Sequence, residues 1–210
     1  MSASGPIVRV VDDDASVRRA VERLLSAKGY VVRSYGTAGD YLLAERGEEP
    51  GCLILDLRMP GPSGMELFES ATRLGAALPV VFLTGHGDVP TSVRAMKGGA
   101  VDFLSKPVAS EALLEAVARA VALDAANRTA SASLSALRAR FDSLTERERE
   151  VLAGVVAGRL NKQIAARLGI AERTVKAHRA AVMAKMHAGS VAELVQICDQ
   201  LDAGEARVAR

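Results

Sequence analysis

The feature that most constrains this chain is a repeated alternation in its first half. Short apolar runs alternate with stretches of helical period, and four of the runs stop on conspicuous polar residues. Ile7–Val11 runs into Asp12-Asp13-Asp14, and Cys52–Leu55 closes on Asp56. Val80–Leu83 ends at Thr84-Gly85, and Val101–Leu104 ends at Ser105-Lys106-Pro107. Val31–Tyr35 is a fifth strand-like run. Between them, Ala15–Lys28 carries apolar residues at Val17, Ala20, Val21, Leu24 and Leu25, a helical period. Gly29 follows in the position glycine prefers after a helix. Thr37–Arg46 reads as a helix, Ser63 and Glu66 as a capping box for a helix over 63–74, and Pro90–Lys97 as a short helix. Ser110 can cap a helix through Leu113, Leu114, Val117 and Val121. Five such βα units predict an α/β, doubly wound, five-stranded parallel sheet with helices on both faces. Ligands of such sheets bind beyond the carboxyl ends of the strands, where Asp12, Asp13, Asp56, Thr84 and Lys106 converge.

The second half changes character. Residues 124–140, DAANRTASASLSALRAR, are rich in Ala and Ser with few large apolar side chains. They read as a partly helical linker between a domain at 1–123 and one at 141–210. From Phe141 the period is purely helical. Thr145 and Glu148 make a capping box for Glu146–Ala157, which Gly158 ends. Asn161–Leu168, the turn Gly169-Ile170-Ala171 and Glu172–Met186 follow, the pattern of a helix-turn-helix. Ser190 and Glu193 cap a last helix with Leu194, Ile197 and Leu201 on one face, either core or a dimer surface. The prediction here is an all-α, four-helix domain.

Charge separates the halves. Residues 1–125 hold 13 Lys/Arg and 16 Asp/Glu, and residues 126–210 hold 14 and 9. Residues 159–187 carry seven basic side chains and one acid, Glu172. An acidic first half and a basic segment in the second suggest two tasks. No apolar run is long enough to span a bilayer, and the first residues lack a signal-peptide pattern. Only Cys52 and Cys198 occur, with no CxxC, so a disulfide scaffold is excluded and a cytoplasmic location is expected. His178 and His187 would lie on opposite sides of a helix and could not share a metal.

Carboxylates gathered at strand ends repel one another unless a cation joins them. An all-oxygen donor set favours a hard cation, and Mg²⁺ characteristically keeps waters and takes one or two carboxylates. A carboxylate such as Asp56 can act as nucleophile toward a phosphoryl group, and Lys106 with Mg²⁺ would neutralise the charge in transfer. Thr84 can donate its hydroxyl to a phosphoryl oxygen. Lys106–Pro107 is a candidate cis bond. Each residue alone has a plainer reading: Asp as a turn or cap residue, Lys106 as a solvated lysine, Phe103 as core. Their ordered occurrence on successive strand ends is the discriminating feature.

VVDDD (10–14), LILDLRMPGPSG (53–64), FLTGHGDVP (82–90) and AVDFLSKP (100–107) resemble the receiver domain of bacterial two-component response regulators. The segment 144–187 resembles a LuxR-type helix-turn-helix. Together they look like regulators of the FixJ/NarL type over nearly the whole chain. The resemblance implies that Asp56 accepts phosphate from a sensor histidine kinase. It implies that Asp12, Asp13, Asp56 and the backbone carbonyl of Arg58 bind Mg²⁺, that Thr84 and Phe103 form a switch pair, and that Lys106 contacts the phosphate. Asp14 is an acid beyond the required pair, a candidate cap for the next helix. Arg58 and His86 flank the site and leave the phosphoryl lifetime open. Duplex DNA, a homodimer formed on phosphorylation and RNA polymerase are the further partners expected.

On a helical wheel over 172–186, Val175, Val182 and Met186 share one side, and Arg173, Lys176, Ala177, Ala180 and Ala184 the other. Small alanines let a helix approach the major groove, where a methyl group can meet thymine. Lys176 can reach a base or a phosphate. Thr174 belongs with this DNA-facing set, and Lys162 and Arg167 are assigned to the DNA backbone. Arg179 sits nearer the apolar stripe, where it either contacts phosphate or pairs with an acid of Glu146–Glu150. His178 reads as packed. The absence of Trp disfavours recognition of single strands by stacking. Two rival readings remain: a Mg²⁺-dependent phosphohydrolase with an aspartyl-phosphate, and a protein whose helical tail binds protein or RNA. No GxxxxGK[ST] is present, so no ATPase module of that kind is encoded.

Overall fold

The computed structural model describes residues 5–44, 49–74, 78–85 and 89–208, the side chains of 205–208 excepted. The chain divides into two compact units, residues 1–128 and 129–210. The first contains β1 (Ile7–Val11), α1 (Ala15–Ser26), β2 (Val31–Tyr35), α2 (Ala38–Ala44), β3 (Gly51–Leu55), α3 (Gly64–Arg73), β4 (Val80–Thr84), α4 (Val89–Lys97) and β5 (Asp102–Ser105). Then α5 (Ser110–Asp142) runs across the boundary, followed by α6 (Glu146–Val156), α7 (Asn161–Leu168), α8 (Glu172–Met186) and α9 (Val191–Val208).

The strands form one parallel sheet in the order β2-β1-β3-β4-β5. Because successive strand residues face opposite ways, the buried strands fill two cores. Val8, Val10, Cys52, Ile54, Val81 and Leu83 meet Val21 and Leu25 of α1 and Leu113, Ala116, Val117 and Ala120 of α5. Val11, Leu53, Leu55, Val80 and Phe82 meet Met65, Leu67 and Phe68 of α3 and Ala95 of α4 on the other face. The doubly wound α/β prediction is met. The chain goes outward from β1 to β2 and returns to β3, so the crevice where a ligand is expected opens between the carboxyl ends of β1 and β3.

The helix ends follow their local chemistry. Asp14 caps α1 by accepting from the Ser16 and Val17 amides, and the Ser16 hydroxyl first, then these amides, hold its carboxyl below the usual carboxylate range. The reciprocal boxes Ser63/Glu66 and Thr145/Glu148 are both formed. α1 stops two residues short of the expected Lys28, and Gly29 takes the left-handed conformation at φ 85°. Part of the helix expected over Thr37–Arg46 lies outside the described residues, as does His86.

Residues 124–140, expected as a partly helical linker, are helical throughout. Alanine is the strongest helix former, and both ends of this stretch are held. Asp124 is buried in the first unit, and Leu134, Leu137 and Phe141 pack on the core of the second. That second core is built on Val151, Leu152, Val155, Ile164, Val175, Val182, Met186, Leu194, Ile197 and Leu201. Leu194, Ile197 and Leu201 are therefore core residues.

Candidate functional site

β1 and β3 pair in register with Val11 opposite Leu55, so the next residues, Asp12 and Asp56, emerge side by side. The Asp56 amide donates to the Val11 carbonyl at 2.9 Å and fixes this start of the loop. β4 and β5 pair Thr84 with Ser105, and the Lys106 amide donates to the Thr84 carbonyl at 2.8 Å. Lys106 then reaches back across the strand ends. Its Nζ donates to Asp12 Oδ2 at 2.6 Å and to Asp56 Oδ2 at 2.8 Å. The Lys106–Pro107 bond is cis.

Asp12 is 2% exposed, Asp56 6% and Thr84 0%, whereas Asp13 is open to solvent. Burial raises the Asp12 carboxyl above its ordinary value, against the hydrogen bond and charge of Lys106. Burial alone would lower Lys106, but its hydrogen bonds to Asp12 and Asp56 and their charges outweigh that and hold its ammonium above the usual lysine value. Asp12 Oδ1 also accepts from the Asp14 amide at 2.9 Å, and the Arg58 amide donates to Asp56 Oδ1 at 3.4 Å. Phe103 is half-buried, its ring centroid 6.0 Å from that of Phe82. Gly64 closes the loop after β3 backbone to backbone: a Cβ there would fall 1.9 Å from the Asp56 carbonyl oxygen.

One carboxylate oxygen from each of Asp12, Asp13 and Asp56 lies within 4.8 Å of the others. Mg²⁺ binds oxygen at about 2.0–2.1 Å, so opposite ligands stand about 4 Å apart. The donor set is all oxygen, and a shift of under about 1 Å brings these three groups within the span of one hard cation. Among the described residues no other such group of His, Cys, Asp and Glu occurs. Cys52 is no rival nucleophile, because burial pushes its thiol up to about 12.

In the second unit, Gly169 ends α7 in the left-handed conformation at φ 67°, and the Ile170 amide donates to the Ala165 carbonyl. This tight turn starts α8. Val175, Val182 and Met186 are fully buried, while Arg173, Lys176, Ala177, Ala180 and Ala184 are exposed. Lys162 and Arg167 of α7 are exposed, and Thr174, His178 and Arg179 are half-buried. Arg179 Nη1 donates to Asn161 Oδ1 at 3.1 Å, at the start of α7, rather than to an acid of Glu146–Glu150. The lysine that does reach α6 is Lys185, whose Nζ donates to Glu148 Oε2 at 2.7 Å and to the Ser143 carbonyl at 3.2 Å. The sequence shows Glu148 as a capping residue, but no local signal joins it to Lys185.

Residues 8–118 match the response regulator receiver domain, and residues 142–198 match the bacterial regulatory proteins of the luxR family. The chain belongs to the two-component response regulators of the FixJ/NarL type. It is 45% identical to Nodulation protein W of Bradyrhizobium diazoefficiens over 93% of this chain and 86% of that protein. It is 43% identical to the transcriptional regulatory protein FixJ of Rhizobium meliloti, over 90% of this chain and 93% of that one. Among solved structures, the response regulator StyR superposes with a TM-score of 0.84 at 47% identity, covering 93% of this chain and 98% of that chain. The family consists of transcriptional regulators, not enzymes, which removes the phosphohydrolase rival. The regulator is thus a phosphorylation-controlled DNA-binding protein. Its receiver implies a histidine kinase partner, and its LuxR-type domain implies binding to DNA. Receiver domains typically bind Mg²⁺ at an acidic pocket. Among the described residues no helix is long and apolar enough to cross a membrane.

Proposed function

We propose that Asp56 is the phosphoacceptor of this regulator and that Lys106, Thr84 and Phe103 convert its modification into a signal. The observation that carries the reading is the bridge of one ammonium, Lys106 Nζ, between Asp12 and Asp56 at the mouth of the strand-order reversal. An Asp56 carboxylate oxygen attacks phosphorus, the P–N bond to the kinase imidazole breaks, and the imidazole leaves with a proton. Asp12, Asp13, Asp56 and the Arg58 carbonyl would hold Mg²⁺, which supplies charge neutralisation on the phosphoryl oxygens. Once Asp56 carries the phosphoryl group, Lys106 turns its ammonium onto a phosphoryl oxygen, and Thr84 donates its hydroxyl to another. The modification adds about −1.5 to −2 charges. Drawing Thr84 inward leaves room for the Phe103 ring to rotate, which alters the surface over 89–123.

The functional division that follows is a receiver at 1–123, a helical connector at 124–140 and a DNA-binding domain at 141–210. Phosphorylation promotes homodimerisation, release of the DNA-binding domain, or both. α8 enters the major groove with Arg173, Thr174, Lys176, Ala177, Arg179 and Ala180 toward DNA, and Lys162 and Arg167 contact its backbone. RNA polymerase is the downstream partner, and the cytoplasm the location. The test is labelling by a small phosphodonor with Mg²⁺, the site being found by mass spectrometry. Asp56→Asn abolishes labelling, and so does metal removal from the wild type. Undiminished labelling of the variant overturns the assignment. Sedimentation with and without phosphodonor then separates dimerisation from release, because an unchanged mass leaves release alone.

A further inference from the structure

The base of the sheet, opposite the phosphorylation pocket, carries a polar cluster that the functional reading does not use. Asp124 of α5 is 6% exposed. Its Oδ2 accepts from the Gly51 amide at 2.9 Å and from Arg128 Nε at 2.7 Å. Arg128 Nη2 continues to the Glu49 carbonyl at 3.0 Å. Arg9, 0% exposed within β1, approaches the same carbonyl from Nη2 at 3.4 Å and donates from Nη1 to the Ile7 carbonyl at 3.2 Å. The Glu49 carboxylate pairs with Arg9 and Arg33. Gly51 lets the start of β3 lie close against β1: at φ 148° a Cβ would lie 1.8 Å from the Ile7 carbonyl oxygen. The segment that begins β3 is gripped from α5 and from β1 together.

The grip falls where α5 most needs one. The last core residue of α5 in the first unit is Ala120, with Val121 packed against that core. The next residue packed on a core is Leu134, in the second unit. Over 122–133 every side chain is exposed except Asp124 and Arg128. Five alanines favour helix over this stretch, but Asn127, Thr129, Ser131 and Ser133 are weaker helix formers. A helical stretch of about twelve residues with no apolar face is marginal in water. Asp124 and Arg128 are four residues apart and so share one face, and that face meets the start of β3.

We propose that Asp124 and Arg128 are positioning residues: they pin α5 to the start of β3 and hold 122–133 helical, so that the receiver acts on DNA binding through helix rather than coil. β3 is the strand whose far end presents Asp56, so the phosphoacceptor and the grip on the outgoing helix sit at opposite ends of one five-residue strand. The coupling half of this inference rests on the assignment of Asp56; the pinning half does not.

The test compares full-length wild type, Arg128→Ala and Asp124→Asn. Asp124→Asn keeps an oxygen acceptor for the Gly51 amide but loses the charge that holds Arg128. Amide hydrogen exchange is read over 113–120 and over 122–133. DNA affinity is measured with and without phosphodonor, and Asp56 labelling is followed alongside. In both variants the 122–133 amides exchange about tenfold faster, while 113–120 stay protected and labelling keeps its wild-type rate. The gain in DNA affinity on phosphorylation falls about threefold or more, with the unphosphorylated affinity unchanged. Exchange over 122–133 as slow as in the wild type overturns the pinning. Faster exchange with an undiminished gain overturns the coupling. A wild type that gains nothing on phosphorylation sinks the functional reading instead, and the exchange comparison still decides the pinning.

Discussion

Two lysines mark the contrast between the units. Lys106 Nζ lies 2.6 Å from one buried carboxylate and 2.8 Å from another. Lys176 of α8 lies 3.7 Å from the exposed Glu172 one turn away, with 66% of its own side chain open to solvent. An exposed i,i+4 pair contributes only about 0.3–0.5 kcal/mol, so Glu172 holds Lys176 weakly. A buried pair is different in kind, because removing one partner strands the other charge away from water. The receiver thus keeps its charges in a fixed geometry that one modification can overturn. The exposed face of α8 keeps Lys176 loosely paired, while beneath it the Lys185–Glu148 pair ties the helix to α6.

The sharpest way to break this contrast is at Lys106. Lys106→Ala leaves Asp12 and Asp56 facing each other without a cation. In the presence of a chelator it is expected to destabilise the receiver by about 3 kcal/mol, with a larger recovery on adding Mg²⁺ than the wild type shows. Denaturant titrations with and without the metal measure both. A variant as stable as wild type in chelator would mean that the two carboxylates are not held together by this ammonium.

The contrast also explains what was legible in the sequence. Asp12, Asp56, Thr84 and Lys106 could be placed because a parallel sheet delivers every strand end to the same edge. The split of α8 into a buried Val175, Val182, Met186 stripe and an exposed basic face was equally visible, because helical period alone sets it. What escaped were pairs joining elements remote in sequence. Arg9 stands in the middle of an apolar run with nothing beside it to reveal Glu49 as its partner. Asp124 and Arg128 do have helical spacing, but they lie in an Ala/Ser stretch whose apolar content promised only a partial helix. Lys185 and Glu148 are 37 residues apart, and only the folding of α8 onto α6 joins them. Phe103 has no local signal beyond its apolar run; the fold packs its ring 6.0 Å from that of Phe82.

On the loose side of the comparison, Lys176→Ala is expected to cost specific DNA binding about 1–3 kcal/mol if Lys176 reads a base, with relaxed preference at one position. Competition between selected and scrambled duplexes measures it. An equal loss on both duplexes would move Lys176 to the phosphate backbone. Lys162→Ala has a smaller and less selective effect. It should weaken all sequences alike and lower the slope of log affinity against log salt by about one. A slope unchanged from the wild type would remove Lys162 from the DNA contact.

The smallest effect expected concerns the platform under α8. The Lys185 ammonium and the Thr145 amide both favour the ionised form of Glu148 and hold its carboxyl below the ordinary value. A carboxyl depressed in the folded state binds its proton less readily there than in the unfolded chain. Its contribution to stability is therefore fully present above the unfolded value of about 4.3 and is lost as pH falls through the lower folded value. Glu148→Gln removes the ionisation but keeps an acceptor for the Thr145 amide. The variant should be less stable than the wild type at pH 7, and the two should converge below about pH 4. Hydrogen exchange of the α6 and α8 amides across that range isolates the second unit from acid effects at the receiver pocket. A difference between the two proteins that is the same at pH 7 and pH 3 would show that Glu148 acts by packing and capping alone, with Lys185 contributing no charge to the hold on α8.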